Sequence, residues 1–196
     1  EYLPRRRALR VIAAARGALA ARCREVNAVT SPNPDDVCWC DLGEGLALAV
    51  IGIAPAARLT LETNTGYVLF ANGVPLGYGG VTPLFRQANT GINIFDAFRG
   101  SEGAFAWMQM LRAFHTLYGT RRFVVNPYQF GAGNAEAIRS GAFWFYYRLG
   151  FRPVHGDVRT LAAREAQRMA DAASYRSDAR TLRALARGDL VLDLPG

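Results

Sequence analysis

Hydrophobic and polar positions alternate along this chain with two different periods. Over Arg5–Val26 the apolar residues Leu9, Ile12, Leu19 and Val26 recur at helical spacing among alanines and arginines, which predicts an amphipathic helix. The polar stretch Thr30–Asp36 carries two prolines and reads as a loop. Leu46–Ile53 and Arg58–Glu62 are runs of strand length parted at Pro55. Tyr67–Ala71 and Val74–Val81 flank Asn72-Gly73, the residue pair that suits the two positive-φ positions of a tight hairpin. Gly77, Gly79 and Gly80 crowd the second of these strands, where bare Cα atoms mark a bulge or a close approach.

Strand alternation returns over Gly91–Phe98, and Arg99–Gly103 makes a tight corner. A helix follows over Ala104–Tyr118, with Phe105, Met108, Leu111, Phe114 and Tyr118 on its apolar face and Gly119 at its end. Arg122–Val125 reads as a short strand and Tyr128–Gly133 as a loop. Asn134–Leu149 reads as a second helix, capped by Asn134 and Gly150. A strand over Phe151–Val154, a polar arginine-rich helical stretch over Leu161–Arg187 and a small edge strand over Leu190–Leu194 complete the pattern. This order predicts an α/β fold: a mixed, largely antiparallel sheet flanked by helices, with extra N- and C-terminal helices. The expected organisation is one domain over residues 1–196, with a core at about 60–155, an N-terminal helix at about 5–26 and a helical extension at about 160–187.

Composition narrows the classes. Of 196 residues 51% are hydrophobic, enough for a sizeable core. The net charge of +7 comes entirely from arginine, since the sequence has no lysine, and the arginines are scattered apart from Arg5-Arg6-Arg7 and Arg121-Arg122. That scatter, without an aromatic–basic RNA motif, argues against nucleic acid; it reads first as a solvated surface and next as one that steers an anionic small ligand. Cys23, Cys38 and Cys40 are an odd number, and Cys38-Trp39-Cys40 has no second ligand pair, so neither a disulfide framework nor a zinc site is expected. The expected setting is a reducing cytoplasm, with no membrane, since no apolar run has spanning length and no signal peptide is visible. The chain starts at Glu1 rather than Met, which suggests a piece of something longer.

Two stretches carry candidate chemistry. A strand entering a helix through Arg99-Gly100-Ser101-Glu102-Gly103-Ala104 offers backbone N–H groups and a guanidinium to an anion. The plain alternative is a tight turn with Ser101 as N-cap. In Gly141–Val154 six of the first eleven residues are aromatic. Aromatics at helical spacing are usually packing, and Tyr146, one turn before Gly150, is the one singled out for a second task.

Taken together, Arg99-Gly-Ser-Glu102-Gly-Ala104 and Asn134…Ala142…Tyr146-Tyr-Arg148-Leu-Gly150-Phe151 resemble the GCN5-related N-acetyltransferase (GNAT) superfamily over about residues 60–155. The resemblance implies acetyl-CoA or another acyl-CoA as cosubstrate. Its pyrophosphate would be held by Phe98, Arg99, Gly100, Ser101, Gly103 and Ala104, and its pantetheine arm would lie along the strand at 92–97, splayed from that at 122–126. It implies direct acylation of an amine, with Tyr146 as general acid toward the thiolate. Asn126 and Asn134 are rivals for one ligand-binding role, because the segment between them is longer than the family's usual link. Glu102 stands where the family usually has the first loop glycine; Glu102 and Asp96 are the nearby acids for a general base. His115, deep in a helix, reads as structural, and His155 as a loop residue.

Two other readings stay beside this one. The chain could be a GNAT-like binding or regulatory module without turnover, within a larger bacterial protein or as a homodimer. Gly100-Ser101-Glu102-Gly103 also resembles a serine-hydrolase elbow, but Arg99 replaces its first glycine. The acceptor amine, small molecule or protein, is not readable from the sequence.

Overall fold

The computed structural model describes residues 1–58, 64–95 and 102–195, and for Glu102 the backbone alone. The chain divides into two compact units, Glu1–Thr120 and Arg121–Gly196, a division that falls inside the expected core. No helix among the described residues is long and apolar enough to cross a membrane.

The first unit is an antiparallel sheet with helices on both faces. Its elements are α1 (Arg5–Ala20), α2 (Asn27–Thr30), β1 (Pro32–Gly43), β2 (Leu46–Ile53), β3 (Thr65–Ala71), β4 (Val74–Leu84), β5 (Gln87–Thr90), β6 (Asn93–Ile94) and α3 (Glu102–Tyr118). The strands lie in the order β1-β2-β3-β4-β5, and β6 also pairs with β4. Every position of β2 is buried, because both of its faces are covered. Ala47, Ala49 and Ile51 join Val68 and Phe70 of β3 beneath Ala8, Ile12, Ala15 and Leu19 of α1. On the opposite face Tyr67 of β3 meets Phe114 of α3, ring centroids 5.5 Å apart.

Several expectations hold and several are corrected. β2 spans the expected residues, and the hairpin turns at Asn72 (φ 48°) and Gly73 (φ 81°) as foreseen. α1 stops at Ala20, well short of Val26. There the Arg24 N–H donates to the Leu19 carbonyl at 3.0 Å while Cys23 takes a left-handed φ of 51°, a helix-ending motif made without glycine. Leu9, placed on the apolar face, is exposed; the buried stripe is Ala8, Ile12, Ala15 and Leu19. Thr30–Asp36 is only partly loop, since β1 begins at Pro32 and reaches regular pairing at Val37 after a register shift. β5 was not foreseen. In α3 the buried residues are Ala106, Trp107, Met110, Leu111, Ala113 and Phe114, whereas Phe105 and Met108 are exposed. The helix is apolar on most sides, so spacing placed Leu111 and Phe114 correctly and chose Phe105 and Met108 in place of Trp107 and Met110. The expected strand at Arg58–Glu62 falls largely on residues 59–63, outside the described residues, and the strand expected over Gly91–Phe98 is seen as Asn93–Ile94 before the description stops at Phe95.

The second unit is built on three strands, β7 (Arg122–Val125), β8 (Arg152–Pro153) and β9 (Leu190–Asp193), with helices α4 (Ala135–Ser140), α5 (Ala142–Arg148), α6 (Gly156–Asp171) and α7 (Ala179–Leu185). β9 was expected at an edge. It lies instead between β7 and β8, antiparallel to each. The single helix expected over Asn134–Leu149 is two, because Gly141 adopts φ 64° and both ends α4 and starts α5. The stretch Leu161–Arg187 likewise divides into α6 and α7 around residues 172–178. Glu165 organises that interruption. Its side chain, 1% exposed, accepts hydrogen bonds from Tyr175 Oη (2.7 Å), Ser177 Oγ (2.8 Å) and Arg168 (2.9 Å).

Candidate functional site

The first unit contributes a broken ladder. β5 and β6 share one register against β4: Val81 faces Thr90, and Tyr78 faces Asn93. Between these pairs the ladder is interrupted at Gly91 and Ile92, opposite Gly79 and Gly80. The cause lies on the neighbouring strand. Tyr67, fully buried, passes over Gly79 and donates its hydroxyl hydrogen to the Gly91 carbonyl. A Cβ at Gly79 would collide with both the Tyr67 hydroxyl and the Gly91 oxygen. A Cβ at Gly77 would stand 2.9 Å from the Asn93 carbonyl. The glycines of β4 thus mark a close approach, as their clustering suggested. Thr90 Oγ1 closes the near side by donating to the Gly80 carbonyl at 3.0 Å.

The consequence for the backbone follows from planarity. In a trans peptide the C=O and the next N–H point in opposite directions. Tyr67 holds the Gly91 oxygen, so the Ile92 N–H is directed away from Tyr67. An extended ligand lying along this strand would meet that group. Downstream, the chain enters α3 at Glu102, followed by Gly103 and Ala104 in the first turn. Nothing lies within 4 Å of a Cβ built at Gly103. Among the described residues the Gly103 position is thus open, as an approach by phosphate oxygens to helix N–H groups requires. Asp96, Phe98, Arg99, Gly100 and Ser101 lie outside the described residues, as does the Glu102 side chain.

The second unit holds the remaining candidates, Asn126, Asn134 and Tyr146, and one turn connects them. Pro127–Phe130 forms a 3-10 turn. Asn126 Oδ1 accepts from the Tyr128 N–H at 2.9 Å, and Asn134 Nδ2 donates to the Tyr128 carbonyl at 3.1 Å. Asn134 Oδ1 also caps α4, accepting from the Ala137 N–H at 3.0 Å. The two asparagines, read as rivals, bracket one residue from both sides. Phe130, at the end of the same turn, packs edge-on to Tyr146 (6.2 Å) and Phe143 (5.9 Å). Phe151 meets the Tyr146 ring at 5.8 Å. Tyr146, singled out for a second task, is 3% exposed, so most of its ring is core. Tyr147 is the rim residue, with the Arg152 guanidinium 4.2 Å over its ring.

The two histidines are placed by packing. His115 Nδ1 lies 2.7 Å from the Thr120 carbonyl and ties the end of α3 to the following residues, the structural role expected of it. His155 precedes α6 with its ring against the bare Cα of Gly188. Sequence reasoning missed Tyr67 altogether. The signal was present in the glycines opposite it, since a strand that gives up side chains makes room for something.

No protein-family model matches the chain, and no curated protein matches it. Among solved structures it is similar to a GNAT family acetyltransferase from Elizabethkingia anophelis with acetyl-CoA bound, at 12% identity over 78% of this chain and 100% of that one, TM-score 0.43. It is also similar to the Campylobacter jejuni N-acetyltransferase PseH, at 9% identity over 66% of this chain and 67% of that one, TM-score 0.40. A third likeness is to the spermidine N-acetyltransferase of Vibrio cholerae, at 14% identity, 47% of this chain and TM-score 0.36; there the match spans 52% of the other chain's length.

Proposed function

We propose that this chain transfers an acyl group, acetyl in the simplest case, from an acyl-CoA to an amine. The observation that supports the reading is the ladder break at Gly91–Ile92. There Tyr67 holds the Gly91 carbonyl, and the Ile92 N–H of the same peptide points away from β4, on the strand that leads toward the Arg99–Ala104 motif and the first turn of α3. A backbone N–H aimed at a thioester carbonyl would stabilise the charge that develops there during attack by an amine. Backbone donors at the start of α3, with Arg99, suit a pyrophosphate. The chain's excess of arginine over acids favours the same anionic cosubstrate.

In this reading the amine attacks the thioester carbon directly, and Tyr146 supplies a proton to the departing thiolate. Asp96 or Glu102 is the candidate base toward the amine. We place the protein in the cytoplasm, where its cysteines, unpaired among the described residues, stay reduced.

The test is calorimetric titration with CoA and acetyl-CoA, followed by turnover with a panel of amines. Micromolar binding and a Tyr146→Phe loss of about a hundredfold or more in kcat are expected. Binding with turnover indifferent to Tyr146→Phe would leave Tyr146 a core residue. Binding restored only by Glu102→Gly would make the chain a module retired from turnover. Absence of binding by both proteins would end the acyl-CoA reading.

A further inference from the structure

The Cys38-Trp39-Cys40 stretch is used by nothing in the reading above. Alternation along β1 puts both thiols on one face and Trp39 on the other, where its ring packs 5.3 Å from Phe70. The cross-strand neighbours of the two cysteines are Val50 and Leu48, so the thiols sit in apolar company. The sulfurs turn toward each other to 4.0 Å. Cys38 is buried and Cys40 is half-buried, so the pair can be reached from one side.

The backbone between them is fixed along both edges. On one side Cys38, Trp39 and Cys40 are in register with Val50, Ala49 and Leu48 of β2. On the other, Leu3 donates to the Val37 carbonyl at 2.9 Å and Trp39 donates to the Glu1 carbonyl at 2.8 Å. Two residues of extended strand separate Cα atoms by about 6.6–6.8 Å, the far end of the range a disulfide tolerates. A strand held on both edges resists the pucker that would shorten this span. The pair is thus poorly built to close on itself and well built to hold a bridging atom. Two bonds of about 2.3 Å, the length of a metal–thiolate bond, meet a 4.0 Å sulfur separation at an angle of about 120°.

The surroundings narrow what can bridge. Among the described residues no group of three His, Cys, Asp or Glu side chains converges, so a four-ligand zinc site is not formed here. Burial, followed by the neighbouring Cys38 sulfur, pushes the Cys40 thiol up to about 11. Negative charge is therefore disfavoured at this position, and a bridge that leaves two thiolates uncompensated would be costly. A centre that takes two thiolates and ends uncharged meets both conditions.

We propose that Cys38 and Cys40 form a dithiol site for a thiophilic centre of this kind, trivalent organoarsenic being the type. The reaction balances without an oxidant. An arsenoxide, R–As=O, gains two As–S bonds; its oxygen leaves as water with the two thiol protons, and arsenic stays trivalent. Small rotations of the two side chains bring the sulfurs to the narrower angle arsenic prefers. Soft sulfur ligands and apolar walls favour such a centre over hard cations.

Phenylarsine oxide is the probe, added to the full chain carrying Cys23→Ser so that the exposed third thiol is silent. Native mass spectrometry should show one adduct per chain, removed by ethanedithiol and resistant to the same concentration of a monothiol. Cys40→Ser should lower the apparent affinity at least tenfold and make the remaining adduct monothiol-sensitive. Cys38→Ala should do the same, with circular dichroism confirming the fold; if that variant does not fold, Cys40→Ser alone decides. An adduct of unchanged stability in folded Cys40→Ser would overturn the proposal. So would a folded native chain that takes no adduct while the denatured chain does, or a pair isolated after mild air exposure as a disulfide.

Discussion

The hydroxyl of Tyr67 donates to the carbonyl of Gly91 across the bare Cα of Gly79, so β3, β4 and the link between β5 and β6 meet at one point of the sheet. Neither contact alone would interrupt a strand. At Gly91 they put a side-chain bond from the sheet's interior in place of a ladder bond. Tyr67→Phe removes that bond and leaves the carbonyl to find another partner. The expected cost is about 1–3 kcal/mol in unfolding free energy. If acyl-CoA is the ligand, the same variant should narrow the affinity difference between acetyl-CoA and CoA, because only the former carries the acyl carbonyl. Urea unfolding and calorimetry measure the two effects separately. A change in stability with an unaltered acetyl-CoA to CoA ratio would confine Tyr67 to packing.

Gly79→Ala tests the space rather than the bond. The added methyl must displace both the Tyr67 hydroxyl and the Gly91 carbonyl. Overpacking of this kind costs about 1–3 kcal/mol, which would appear as a thermal midpoint lower by several degrees. A midpoint equal to the native one would mean the strand around Gly91 yields freely.

Gly141 offers a cleaner backbone measurement. It joins α4 to α5 at φ 64°, and nothing lies within 4 Å of a Cβ built there. Gly141→Ala should therefore cost about 1 kcal/mol, from left-handed strain alone. Stabilisation by the variant would show that α4 and α5 straighten into the single helix expected from the pattern.

Glu165 makes stability depend on pH. Burial by itself would raise its pKa; hydrogen bonds from Tyr175, Ser177 and Arg168, with the Arg168 charge, outweigh that and hold it below its ordinary value of 4.5. A depressed carboxyl contributes stability that is fully present above the unfolded pKa and is lost as pH falls through the folded one. Unfolding free energy should accordingly decline below about pH 4.5 and keep declining through the lower folded value. Glu165→Ala should flatten that dependence and cost about 1–3 kcal/mol at neutral pH, because Tyr175, Ser177 and Arg168 lose their shared acceptor. Unaltered acid sensitivity in the variant would assign the pH dependence to other carboxyls.

Where local chemistry dictates conformation, the sequence could be read closely. Asn72-Gly73 located the hairpin because few residue pairs accept two positive φ values, and Asn134 located a helix start because its amide reaches the third N–H beyond it. Where tertiary context decides, the reading failed. Pro32 and Pro34 resembled a loop, yet they occupy the irregular start of β1, before regular pairing begins at Val37. The buried stripe of α3 could not be chosen among Phe105, Trp107, Met108 and Met110 because all are apolar; only the sheet beneath selects Trp107 and Met110. Of the candidate site, Asn126 and Asn134 were named for ligand binding, and their geometry shows them bracing one turn. Tyr67 went unnamed because its partner is a backbone atom, and backbone atoms leave no mark in a sequence except the glycines that let something reach them.

The position of β9 also bears on how the protein is made. Residues 190–193 leave the ribosome long after β7 and β8, yet within the second unit β8 pairs with β9 alone, and β7 reaches it only through β9. Until those four residues emerge, β8 has no strand to pair with inside this unit. Completion of this unit must therefore await nearly the whole of its synthesis. A chain stalled or truncated before residue 190 would present this unit to the cell as an unfinished surface.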